Sequence, residues 1–146
     1  MTVEENPRFA LLAGLLRDGY RVRFRAHGRS MHPTIQEGER ITVEPVESSE
    51  VKAGDVVLYR AGLGVVAHSV VRRERRSGPI VRFLLRGDSS DCCDDPVAAA
   101  QVLGRVVCVE REGRDIDLAG RTAKVLGALR ARASRFKRRV LAAGPA

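Results

Sequence analysis

Tyr20-Arg21-Val22-Arg23-Phe24-Arg25-Ala26-His27-Gly28-Arg29-Ser30-Met31-His32-Pro33-Thr34 is the stretch whose pattern decides the fold. From Tyr20 to His27 the side chains alternate. Tyr20, Val22, Phe24 and Ala26 face one way; Arg21, Arg23 and Arg25 face the other. A period of two is that of a strand with one face on a core and the other in water. Pro33 forbids continuation, because proline has no N–H to give to a ladder. Ser30 is therefore expected just past the end of a strand, in a turn.

The same grammar recurs downstream. Strands are predicted over 40–45, 55–60, 65–73, 80–85 and 102–110. Glu112-Gly113-Arg114 forms a hairpin turn, and 115–118 returns. Gly38, Gly54, Gly62, Gly78 and Gly87 punctuate the series. Many short strands between regular turns predict a mainly β domain, a coiled antiparallel barrel-like sheet over 20–120. Aromatic residues make up 4% of the chain, so its core must rest on Val, Leu, Ile and Ala.

Ahead of this domain, in segment 1–19, Asn6-Pro7 has the form of an N-cap followed by proline at the first helical position. Phe9, Leu12, Leu15 and Leu16 fall on one helical face, and Gly19 is a stop, so a short helix is predicted over 7–18. Behind it, in 121–146, Val125, Leu129, Ala133, Phe136 and Val140 recur at helical spacing. Arg130, Arg135, Lys137, Arg138 and Arg139 lie among them. This predicts a basic amphipathic C-terminal helix.

The charge is unevenly placed. Net charge is +8, with 26 basic and 18 acidic residues. Residues 121–146 hold eight of the basic residues and no Asp or Glu, which leaves 18 against 18 in residues 1–120. A neutral body argues against a nucleic-acid partner. The tail is expected to pack on the body by its apolar face, or to touch an anionic membrane surface through 121–143. The longest apolar run, Phe9 to Leu16, is about half of what a bilayer span needs, and Glu4 and Glu5 before it are the wrong charge for the start of a signal peptide. Cys92, Cys93 and Cys108 are odd in number and lack zinc spacing, which favours a reducing, cytoplasmic setting, with no metal or cofactor expected.

Three segments carry the chemistry. The first is Gly28-Arg29-Ser30-Met31-His32-Pro33-Thr34, followed by Gly38-Glu39. The second is Gly54-Asp55-Val56-Val57, leading to Val65-Val66-Ala67-His68. The third is Leu84-Leu85-Arg86-Gly87-Asp88, followed by Asp91, Asp94 and Asp95. Their order and spacing resemble the signal peptidase and LexA-like serine peptidase superfamily over about residues 20–110. The matching features are a G-x-S-M-x-P-T box, a G-D-V-V strand, a basic residue on the next strand, and a G-D loop with a D-D pair.

The resemblance implies an S-type nucleophile at Ser30 and a general base at His68. Lys52 is the one lysine of the body and lies off the expected strand, so the likeness is to the histidine branch, that of archaeal and endoplasmic-reticulum signal peptidases. In that branch an aspartate six residues after the G-D aspartate completes the site, which from Asp88 gives Asp94, with Asp88 and Asp95 as rivals. Gly28 and Met31 are expected to support the turn and a backbone oxyanion hole; Asp55 and Asp88 are expected to fix turns. Here the G-D-N loop reads Gly87-Asp88-Ser89, and Cys92 and Cys93 lie inside it. The chemistry agrees: a serine hydroxyl needs a base within hydrogen-bond reach, and a carboxylate orients the imidazole.

The implied activity is that of a serine endopeptidase acting on an extended protein or peptide through an acyl-enzyme. The alternatives are an inactive peptide-binding or regulatory module of the same fold, and a protein that binds nucleic acid through its basic tail. On their own, Asp91, Asp94 and Asp95 also read as a solvated acidic loop or a carboxylate cation site.

Overall fold

A computed structural model describes residues 6–118 apart from 77 and 79. The helix expected over 121–143, and with it any membrane contact through that tail, lies outside the described residues. The chain opens with α1 (Pro7–Arg17), capped as its sequence predicts: the Asn6 side chain accepts from the Arg8 N–H at 3.0 Å, and proline occupies the first turn. Among the described residues eight strands follow: β1 (Val22–Arg25), β2 (Arg40–Glu44), β3 (Val56–Ala61), β4 (Gly64–Arg76), β5 (Ile80–Arg86), β6 (Val97–Ala98), β7 (Val102–Arg111) and β8 (Arg114–Asp117).

All the pairings are antiparallel, in the order β1-β2-β7-β3-β4-β5-β6, with β8 paired to β7 beside β3. The barrel-like expectation is corrected here. β1 and β6 end the order without pairing to each other, so the sheet is open. The end strands are too short to close it, β1 having four residues and β6 two. β1 is also shorter than the 20–27 alternation predicts, and β4 is longer than 65–73, because the tight turn at Gly62-Leu63 lets pairing begin at Ala61 opposite Gly64 and pairing with β5 continues to Arg76 opposite Ile80.

The core has two parts, one on each side of β3. Val56 and Leu58 join Leu16 of α1, Val22, Met31, Ile35, Ile41, Val43, Val106 and Val109. Val57 and Tyr59 join Val51, Val70, Phe83, Leu85 and Val97. This is why Val56-Val57-Leu58-Tyr59 shows no alternation: both faces of a central strand are buried. α1 shares the first part through Leu16 rather than standing as a separate unit. None of the described helices is long and apolar enough to cross a membrane, and Cys92, Cys93 and Cys108 are free thiols.

β7 is pinched between β2 and β3 at Gly104, beside an irregularity in the β3–β7 register after Leu58. A Cβ there would lie 2.6 Å from the Glu44 carbonyl oxygen and 2.7 Å from Val43 Cγ1. Gly104→Ala is therefore expected to lower stability by about 1–3 kcal/mol, as overpacking does, measured by denaturant unfolding. A midpoint equal to that of the parent would show that the two strands can part without cost.

Glu39, just ahead of β2, is joined to Arg111 at the end of β7 by a forked ion pair. Arg111 Nε lies 2.6 Å from Glu39 Oε2, and Nη2 lies 2.8 Å from Oε1. These hydrogen bonds, with the Gln36 N–H, hold the Glu39 carboxyl below the usual carboxylate range against the opposing effect of burial. A lowered folded value means that the stabilisation is complete above the ordinary range and is lost as pH falls through the lowered one. Thermal melts of the parent and Glu39→Gln should therefore differ most near neutrality and converge in acid. A gap that stays constant with pH would show that the charge of Glu39 contributes nothing.

Candidate active site

The Ser30 turn is built from a helical period laid directly after a strand. Ala26, just past β1, gives its N–H to Glu39 O at 2.8 Å and accepts the Gly38 N–H at 2.9 Å. Gly28 then takes φ +94°, a conformation that favours glycine, and donates its N–H to the Glu37 carboxylate. That amide is used inside the turn, so Gly28 supports the turn rather than an oxyanion. The Ile35 N–H returns to Met31 O at 3.1 Å. Met31 and Ile35, four apart, lie on one side of this turn and are buried in the core. Ser30 is left exposed.

His68 comes from the middle of β4, opposite Val57. Its Nε2 lies 3.1 Å from Ser30 Oγ, and its Nδ1 is hydrogen bonded to Asp94. With Nδ1–H donating to the carboxylate, Nε2 presents a lone pair to the serine hydroxyl. Asp94 reaches the ring from the loop after β5, tethered by its own N–H to Leu85 O at 2.8 Å. Of the candidate acids, Asp94 is the carboxylate on the imidazole. Asp95 is exposed, and Asp88 is engaged elsewhere.

Asp88 is buried and accepts from the hydroxyls of Thr34 and, at 2.6 Å, Ser69. It therefore ties the serine turn to the residue beside His68. Ser89 adds its N–H to Ser30 O at 3.0 Å and its hydroxyl to Arg29 O at 2.8 Å. Asp55 fixes the turn ahead of β3, accepting the Lys52 N–H at 2.9 Å. The Lys52 residue is exposed, and the base within reach of Ser30 Oγ is His68. Asp94 is turned toward His68, and among the described residues no three His, Cys, Asp or Glu side chains gather as metal ligands.

Sequence reasoning did not assign Tyr59. Its hydroxyl donates to Asp94 Oδ2 at 3.2 Å and its ring meets the imidazole edge-on, with centroids 6.1 Å apart. Burial first, then the charge of Asp94 and the hydrogen bond to it, push the phenol far above its ordinary value, so it stays a donor. The register carries the signal: Tyr59 opposes Val66 and Val57 opposes His68, which makes Tyr59 and His68 diagonal neighbours on one face.

Gly87 is the other residue without an assigned role. A Cβ on it would stand 2.6 Å from Ser30 O and 3.2 Å from His68 Nε2. The serine turn and the histidine strand meet over the space where a side chain would be. Gly87→Ala should push Ser30 Oγ beyond hydrogen-bond reach of His68, as a crystal structure of the variant would reveal. A retained contact near 3.1 Å would show that the loop yields more easily than this packing allows.

No family model matches the chain, and no curated protein matches it in sequence.

Proposed function

We propose that the protein is a serine endopeptidase, similar to the histidine branch of the signal peptidase and LexA-like superfamily, with Ser30 as nucleophile, His68 as general base and Asp94 as its orienting acid. The observation that carries the reading is the hydrogen-bonded series Ser30 Oγ, His68 Nε2 and Nδ1, Asp94 Oδ2, with 3.1 Å between serine and imidazole. Three segments far apart in sequence converge on it.

In this reading the Ser30 proton passes to His68 Nε2 as Oγ attacks the peptide carbonyl carbon. Asp94 stabilises the imidazolium. The proton then goes to the leaving amine nitrogen, the C–N bond breaks, and an ester on Ser30 remains. Water, deprotonated by His68, releases the acid and restores the serine. Tyr59 fixes the Asp94 carboxylate through its hydroxyl. The oxyanion is held by backbone N–H groups at the start of the Met31–Ile35 turn.

The substrate lies extended along β1. Ala26 turns its N–H and C=O toward the residues ahead of β2. By the alternation of an antiparallel ladder, Arg23 and Arg25 turn theirs to the unpaired edge. A peptide added there as a strand runs toward Ser30.

A serine-reactive phosphonate should label the parent protein and leave Ser30→Ala unlabelled. His68→Ala should slow labelling and turnover by roughly 10²–10⁴-fold, the contribution of a positioned general base, while Lys52→Ala keeps the parental rate. Equal labelling of parent and Ser30→Ala, or none of either, would leave the fold as a peptide-binding module. Loss in Lys52→Ala with none in His68→Ala would point to a lysine base.

A further inference from the structure

Arg111 does more than pair with Glu39. Its Nη2 also lies 3.0 Å from the Pro33 carbonyl oxygen and 3.2 Å from that of Thr34. These carbonyls close the short helical turn that begins at Ser30, and a turn that stops there has no further N–H of its own to give them. A cation at the C-terminal end of such a turn satisfies the carbonyls and matches their dipole. The guanidinium is suited to this because its planar fork engages a carboxylate through two nitrogens and still has N–H bonds to spare. Glu39 is well covered, its side chain 11% exposed, so the fork is held in place from behind.

Thr34 is consequently gripped twice. Asp88, from the end of β5, takes its hydroxyl, and Arg111, from the end of β7, takes its carbonyl. The first grip comes from the loop that also delivers Asp94. The second comes from a different part of the sheet and reaches neither His68 nor Ser30.

We propose that Arg111 and Glu39 are positioning residues for Ser30: the pair is a latch that fixes the far end of the nucleophile turn and so sets the approach of Ser30 Oγ to His68. The proposal rests on the reading of Ser30 as nucleophile. The latch fixes geometry and takes no part in proton transfer. A displacement of about 1 Å in such a group can cost on the order of 100-fold in rate.

The test uses the full chain with Arg111→Ala, Arg111→Lys and Glu39→Gln, read by phosphonate labelling of Ser30 and by amide hydrogen exchange. Arg111→Ala is expected to label about 100-fold more slowly, and dilute methylguanidinium to restore part of the rate. Arg111→Lys should stay slow, since an ammonium cannot span the carboxylate and both carbonyls. Exchange at the His32 and Ile35 amides should quicken while the amides of β3 keep their protection. Parental labelling in Arg111→Lys would overturn the latch. So would exchange that quickens evenly across the sheet, the mark of a general loss of stability. If Arg111→Ala fails to fold, the lysine and glutamine variants decide by the same readings. If the parent itself is not labelled, the nucleophile reading falls, and turn-specific exchange alone decides whether the latch holds this turn.

Discussion

The absence of a side chain at Gly87 is the constraint on which the site depends. A Cβ there would lie 2.6 Å from the Ser30 carbonyl oxygen, too close for any side chain, and the imidazole of His68 borders the same space. A strand end, a turn and a neighbouring strand can meet this closely only where one backbone is bare. The contact also brings the rest of the loop to the serine: Ser89 reaches Ser30 and Arg29, and Asp88 reaches Thr34. The residues beyond then carry Asp94 back to the far side of the imidazole. One close approach therefore sets Ser30, His68 and Asp94 relative to one another.

Rigidity comes from β3 and its neighbours. β3 is buried on both faces, so neither it nor β4 paired beside it can slide without exposing Val57 or Leu58. The β3–β4 register is what faces His68 toward Tyr59 and Asp94. A slip of one residue would turn the histidine to the opposite face, where the first part of the core lies. Core packing and the geometry of the Ser30, His68 and Asp94 series are thus one requirement at this hairpin. Among the described residues an unpaired edge remains at β1, on the other flank of the sheet.

Sequence patterning reached most of the strands because alternation and glycine punctuation are local signals. The helix, the turn at Ser30 and the strand bearing His68 were legible for that reason. Closure of the sheet was not, since it depends on whether distant end strands find each other, and β6, with two residues, is too short to leave a pattern. Asp94 was reached by counting along a resembled motif, while its partner Tyr59 looked like one more apolar member of Val56-Val57-Leu58-Tyr59. Its role appears only once the register sets it diagonal to His68. Arg111 was hidden for a similar reason. In the sequence it is one of many arginines near a hairpin, and nothing local joins it to Pro33 and Thr34, 78 and 77 positions away.

Burial differs around the hydrogen-bonded series in the way that the proposed acyl transfer would require. Ser30 is exposed, the His68 side chain is 12% exposed, and Asp88 behind the turn is 7% exposed. A nucleophile must be met by a bulky extended chain, so it cannot be buried. Its base must keep one tautomer and one orientation, which free solvation would loosen. Asp94, at 31% side-chain exposure, is the most open supporting group, and it is also the one with an added donor, since Tyr59 supplies a hydrogen bond from the core side. A buried phenol that keeps its proton can hold a carboxylate in place without adding charge beside the imidazole. The arrangement therefore allows the acid to come from a surface loop while its direction is fixed by a strand in the middle of the sheet.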